Sequence, residues 1–437
     1  MMKIYLDYAA ATPVDPEVLR AMQPYFSEKF YNPSALYLDA RATAKDVQDA
    51  RAKIAKQLGV RPSEIIFTAG GTESDNLAIR GVMEQFPNAN LVISAIEHEA
   101  VLKPAHLYNY KEAPVNSDGV VDLKVLEKLI DSKTVLVSIM YANNEIGTIQ
   151  PLREIAQIIK SKIESRKLAK SALPLFFHTD ACQATNYLHV QANKLGVDMM
   201  TVSASKIYGP KQMGGLYLNA RVKLSPQILG GGQEHGMRSG TENVAGIVGF
   251  ATALDIVQNN RLKEVARMRR LQELALDLIR QKIPAATING SSKHRLPNNI
   301  HITIPGQDNE RLIMLLDEKG IQCAAGSACS ASNEEPSHVL SALGLTDKAT
   351  QSSLRLTMGR DTDERSIRYA IEELALAVYT TFDSPKIVHS QSELSRAKTV
   401  LSEGEVAIAT SREEKPFVAD RIRSGDGGVS GKSSKEL

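Results

Sequence analysis

Residues 197–215 read VDMMTVSASKIYGPKQMGG: an apolar run, a Ser-Ala-Ser turn, Lys206, and a segment punctuated by glycine and proline. The run is short and apolar, which predicts a buried strand, and the Gly and Pro beyond it predict a turn. Lys206 then stands just past a strand end, where open α/β sheets place their ligands. An ammonium on such an apolar approach is costly to bury. It reaches water, loses its charge, or forms an imine with a carbonyl cofactor, and a Ser-x-Ser-Lys by itself is most simply an exposed loop lysine. The surrounding stretches decide between these readings.

Upstream, residues 173–183 (LPLFFHTDACQ) form a second short apolar run ending in polar residues, among them Asp180. The two run ends fit one βαβ step of roughly 30 residues. A carboxylate there can hold the nitrogen of a pyridinium ring protonated, so that the ring accepts electrons from a substrate carbon; its alternative is an N-cap or turn residue. Further upstream, residues 67–79 (FTAGGTESDNLAI) place Gly70, Gly71 and Thr72 before a helical pattern. Backbone N–H groups and a hydroxyl at a positive helix end make a phosphate cradle, unless this is an ordinary glycine turn capped by Thr72. A nucleotide loop is not the alternative, because residues 230–239 (GGGQEHGMRS) carry Met237 where such a loop needs its lysine. His98 follows the run at 90–98 (NLVISAIEH), so it too is expected at a strand end, where an imidazole can stack on a pyridine ring or relay protons.

An aspartate on one strand, a lysine after a later strand and a Gly-Thr loop resemble the pyridoxal 5′-phosphate enzymes of fold type I. Seven strings narrow the resemblance to the class V group and, within it, to cysteine desulfurases of the IscS/NifS type. They are YLDYAAATPVDP, EHEAVL, NNEIGTIQP, HTDACQ, GGGQEHGMRSGTEN, RLPNN and AAGSACS, in family order from Tyr5 to Arg360. The resemblance implies an α/β fold with a mostly parallel, doubly wound sheet in a large domain, and a smaller α+β domain. It implies that Lys206 bears pyridoxal 5′-phosphate, that His98 stacks on its ring, and that Gly71, Thr72, Ser203 and Ser205 serve its phosphate. Asn144 and Gln183 match positions that bond the substrate or the ring oxygen, and Arg355 matches the carboxylate-binding arginine. Thr241 matches a residue supplied by the neighbouring subunit, which implies a homodimer with a site built across a two-fold interface. In two places the chain departs from the family: Tyr37 and Ser205 stand where histidines are usual. A hydroxyl at 205 still bonds a phosphate oxygen but has no cationic form.

Cys329 lies among Gly, Ser and Ala, a composition suited to a surface loop and to a thiol kept for reactivity. Cys323 is expected in the core and Cys182 packed near the cofactor ring. The resemblance makes Cys329 the acceptor of sulfur from L-cysteine, leaving L-alanine, with onward transfer to a protein of iron–sulfur cluster assembly or tRNA thiolation. A selenocysteine lyase or class V transaminase would keep Lys206 and Asp180 without needing Cys329, and a non-catalytic scaffold of the same fold would need neither.

The 437 residues exceed the size at which one core keeps growing, so two domains, or one large domain with a satellite, are expected. Residues 15–260 are read as the large cofactor-binding domain, 1–14 with 261–383 as the small domain carrying Cys329, and 384–437 as a polar tail of disordered composition. A helix is expected from Arg41 to Leu58 and a charged one from about Arg261. The runs EIIFTA, NLVISAI and TVLVSIMYA predict parallel strands. A net charge of +2 is too near balance to argue for nucleic acid or an acidic membrane as partner, and neither is expected. Three cysteines make no disulfide framework, and no long apolar span is present, so a soluble cytoplasmic enzyme is expected. None of the candidate residues is read as a metal ligand.

Overall fold

The structure is a computed structural model and describes residues 3–169, 173–326 and 336–381. Contacts divide the chain after Thr381. Cys329 and the segment 384–437 lie outside the described residues.

Twelve strands form three sheets among the described residues. In chain order they are β1 (Ile4–Tyr5), β2 (Ile65–Thr68), β3 (Asn90–Ser94), β4 (Tyr110–Ala113), β5 (Thr134–Ser138), β6 (Phe176–Asp180), β7 (Met199–Ser203), β8 (Gly214–Leu218), β9 (Thr287–Ile288), β10 (Asn299–Thr303), β11 (Ile321–Gln322) and β12 (Ser353–Thr357). The large sheet has the order β2-β8-β7-β6-β5-β3-β4. Its strands from β4 through β7 pair in parallel. β8 runs antiparallel to both β7 and β2. The run EIIFTA, expected in the parallel set, points the same way as those strands but pairs antiparallel, because its neighbour β8 is reversed. The physical reason lies in β8, which follows β7 through a short turn instead of a crossover helix, and so short a return permits only an antiparallel partner.

Strands β5, β6 and β7 are buried along their whole length. Successive residues point to opposite faces: Leu136, Phe176 and Met199 join one apolar cluster, Val137, Phe177 and Met200 another. Covering both faces is what makes these strands read as continuous apolar runs, and each such side chain contributes roughly 1.5–3 kcal/mol through burial. Because the parallel strands share a direction, their carboxyl ends open on one edge of the sheet. The turns that follow β3, β5, β6 and β7 meet there.

The helix expected from Arg41 begins earlier, at Leu38, and runs to Leu58, where Gly59 at φ +67° ends it in a left-handed cap. The charged helix expected from Arg261 begins at Val244, capped by Asn243, and continues unbroken to Lys282. Its first half is apolar and lies in the same cluster as Phe67 and Val137, and its second half shares that cluster with Ile300 and Leu354. The apolar first half hid the start, because the charged pattern emerges only where the helix becomes partly exposed. Strands β9, β10 and β12 form an antiparallel sheet in the order β12-β10-β9, and β1 pairs in parallel with β11. Among the described residues no helix is long and apolar enough to cross a membrane.

Candidate active site

A cleft of about 690 Å³ lies at the carboxyl ends of β3, β5, β6 and β7. It is lined by Gly71, Thr72, His98, Asn144, Asp180, Gln183, Ser203, Ser205, Lys206 and Arg355. These are all the candidates read from the sequence that fall among the described residues, except one. Thr241 is exposed and does not line the cleft of its own chain. Tyr37 is exposed and lies against the ring of Tyr31, with centroids 5.9 Å apart, so the position that departs from the family stands away from the cleft.

Lys206 sits in a short 3₁₀ turn, Ala204–Lys206, directly after β7. Its Nζ donates to the carbonyl oxygens of Ala9 and Ala10 at 3.0 and 2.6 Å. Asn186 Nδ2 donates to the Lys206 carbonyl at 2.6 Å, tying the turn to the segment after β6. Asp180 is the last residue of β6 and is buried; its Oδ1 accepts from Cys182 N at 2.8 Å. Ser203 Oγ and Ser205 Oγ lie 3.0 Å apart. Gln183 Nε2 donates to Ala9 O at 3.0 Å.

Across the cleft, the helix Gly71–Met83 begins beside β2 with no side chain capping its N-terminus. Gly70 has φ +134°, a conformation that favours glycine. At Gly71 a Cβ would fall 2.9 Å from Cys182 Sγ, so the helix start can come this close to β6 only without a side chain. His98 is the N-cap of the helix Glu99–Ala105, its Nδ1 accepting from Ala100 N at 3.1 Å. That bond turns Nε2 into the imidazole's proton-bearing atom in the neutral ring.

Arg355 closes the cleft from another sheet. It lies in the middle of β12, opposite His301 on β10, and is 1% exposed. Its Nη2 donates to Asp7 Oδ1 at 2.7 Å and its Nη1 to Asn144 O at 3.1 Å, while Nε is buried with no partner among the described residues. A guanidinium that lines the cleft, held by Asp7 and the Asn144 carbonyl, is suited to a carboxylate guest.

Three further carboxyl groups matter here, and the sequence reading passed over all of them. Asp7 belongs to the string at 5–16. Asp75, one turn into the helix after Thr72, is 1% exposed, and burial first, then the charge of nearby Asp180, pushes its carboxyl well above the usual range. Glu97, beside His98, is fully buried, and burial pushes it up to about 8 although Ser94 Oγ and Met140 N donate to its Oε1. Burial likewise lowers His178 on β6 to about 3, so that ring is neutral. The one sequence signal for Glu97 was its place directly after a strand's apolar run. Of the two described thiols, Cys182 is pushed well up by burial and then by Asp180, and Cys323 is pushed up to about 12, again chiefly by burial.

Comparison with known proteins agrees with this geometry. Residues 4–369 match the family described as Aminotransferase class-V. The chain is 40% identical over 379 residues to a cysteine desulfurase IscS of Dictyoglomus turgidum, covering 85% of this chain and 93% of the relative. Among solved structures it is similar to a NifS-like protein, with a TM-score of 0.79 and 34% identity over 87% of this chain and 100% of the other. It is also similar to SspA in complex with cysteine, with a TM-score of 0.71 and 31% identity over 82% of this chain and 99% of the other.

Proposed function

Because the chain belongs to the class-V aminotransferase family and, within it, to the cysteine desulfurases of the IscS/NifS type, we propose that it converts L-cysteine to L-alanine and takes the sulfur onto Cys329 as a persulfide. The observation that carries this reading is the meeting of Lys206, Asp180, His98 and Arg355 in one cleft. The family depends in general on pyridoxal 5′-phosphate, and the residues present fit that group. Gly71 and Thr72 at an uncapped helix start, with the hydroxyls of Ser203 and Ser205, would hold its phosphate. Asp180 would face its ring nitrogen, His98 would lie on its ring, Gln183 would bond its ring oxygen, and Lys206 would carry it. When bound, the group supplies an electron sink for the substrate's α-carbon.

The chain's own residues do the rest. Arg355 binds the carboxylate of L-cysteine from the cleft wall, and Asn144 orients it from the neighbouring loop. Lys206 takes the α-proton and later returns one. Burial raises the carboxyl groups of Asp75 and Glu97 and so favours their protonated forms near Asp180. Cys182 and Cys323 are disfavoured as thiolates, which supports Cys329 as the attacking sulfur. The Cys329 thiolate forms an S–S bond to the substrate sulfur as the C–S bond breaks. The electron pair stays with the substrate carbon, which is protonated to L-alanine.

The reading includes a homodimer, supported by Thr241 standing exposed and away from its own cleft, where it is available to a second copy's phosphate site. It also includes a cytoplasmic setting, where thiols stay reduced, and an acceptor protein of iron–sulfur cluster assembly or tRNA thiolation. The test is incubation of purified protein with pyridoxal 5′-phosphate, L-cysteine and dithiothreitol, with alanine and sulfide assayed together. The two should appear in equal amounts, and Cys329→Ser should abolish both while retaining the yellow, borohydride-trappable link to Lys206. A fully active Cys329→Ser variant would replace this reading with a lyase that needs no protein thiol.

A further inference from the structure

The N-terminal string at 5–16 has no part in the chemistry above, yet it touches both cations of the cleft. Asp7 Oδ1 accepts from Arg355 Nη2 at 2.7 Å, and the Asp7 side chain is 18% exposed against 2% for the arginine's. Two residues on, the carbonyls of Ala9 and Ala10 receive the Lys206 ammonium. Thr12 is 2% exposed. Its Oγ1 donates to Ser205 O at 3.0 Å and accepts from Tyr208 N at 2.8 Å, so a single hydroxyl joins the backbone on the two sides of Lys206. Tyr208 has φ +63°, a left-handed conformation costly for a side chain of this size, and a hydrogen bond to its N–H helps to hold it there. The segment is itself anchored on β12: Thr357 N donates to Leu6 O at 2.7 Å and Ala9 N to Thr357 Oγ1 at 2.9 Å.

Resting on the function proposed above, we propose that residues 7–12 are a positioning strap that sets the two cations of the active site separately. Asp7 holds the Arg355 guanidinium from one side while Asn144 O accepts from Nη1, and so fixes the orientation in which the arginine lines the cleft and meets the substrate carboxylate. Thr12 holds the turn from which Lys206 projects, and the Ala9 and Ala10 carbonyls accept from its Nζ and fix where the amine stands. Arg355 acts on binding and Lys206 on proton transfer, so the two halves of the strap have different kinetic signatures.

The experiment compares Asp7→Asn, Thr12→Val and Thr12→Ser with the parent, all as full chains. Asp7→Asn should raise KM for L-cysteine about tenfold with little change in kcat, since the amide cannot hold the guanidinium as a carboxylate does. Thr12→Val, of nearly equal volume, should lower kcat roughly tenfold with KM little changed. It should also slow the appearance of colour when pyridoxal 5′-phosphate is added to apoprotein. Thr12→Ser should restore both. If the two substitutions change KM and kcat alike, or if Thr12→Ser fails to rescue, residues 7–12 are only structural and the proposal falls. Thermal melts of the apoproteins identify a variant that does not fold; for Thr12→Val in that case, Thr12→Ala carries the same expectation. Should the parent release no alanine, the functional reading fails by itself, and the strap is then judged on cofactor uptake alone, where parent-like uptake by Thr12→Val overturns it.

Discussion

Lys206 and Arg355 are the two cations of one cleft, and the chain places them in opposite ways. Lys206 stands on a turn beyond a strand, half-buried, with its amine on backbone carbonyls. Arg355 is in mid-strand, almost wholly buried, and its position follows from the register of β12 against β10 and from an ion pair with a residue 348 positions away. A strand-end residue answers to its local turn and can be replaced with little harm to the fold. A mid-strand charge is part of the fold, and removing it leaves a carboxylate without its partner.

The sharpest way to break this comparison is Lys206→Ala. Activity with L-cysteine should fall on the order of a thousandfold or more, while the melting temperature of the apoprotein stays close to the parent's. A large loss of stability would show that the lysine is structural after all. Arg355→Lys comes next: it keeps the charge but loses the planar fork, so KM should rise between about 10- and 100-fold. Unlike the lysine substitution it should also lower the melting temperature, because Asp7 and Asn144 O lose the geometry of their donor. Unchanged melting would mean that the mid-strand placement carries no structural weight.

The smallest effect sharpens the comparison for the carboxyl groups. Glu97 is held up at about 8 by burial, against an ordinary value of ~4.3 in the unfolded chain. Across that window the fold binds a proton that the unfolded chain has lost, so stability is full at the lower end and declines as pH rises. His178 and His301, each lowered by burial to about 3, act with the opposite sign, but only below their ordinary value of ~6.5. Between about pH 6.5 and 8 the carboxyl effect should therefore dominate, with Asp75 adding to it in the same direction. Glu97→Gln should flatten the decline in melting temperature over this range by roughly a few degrees. Parallel curves for parent and variant would remove Glu97 from the account.

How much of this could be read without coordinates depended on whether a residue's place is local. Lys206, Asp180 and His98 were legible because each follows a short apolar run, and a parallel sheet brings such run ends to one edge. The start of the helix at Gly71 was legible for the same reason, since two glycines before a periodic pattern mark a helix entrance. The start of the helix at Val244 was hidden, because its first turns are apolar all round and give no period. The reversal of β8 was hidden too: an antiparallel strand buried on both faces has the same composition as a parallel one.

The chain by itself thus determined the family, the strand-end residues and the lysine around which they gather, because spacing along the backbone and the alternation of apolar runs with turns are properties of sequence. Only the tertiary structure decided that Asp7 faces Arg355, that Thr12 spans the lysine turn, and that Glu97 and Asp75 are shut away from water. Pairings between residues hundreds of positions apart, and the burial that shifts a carboxyl group's proton affinity, depend on what the fold brings around a side chain, and neighbouring letters carry no record of that.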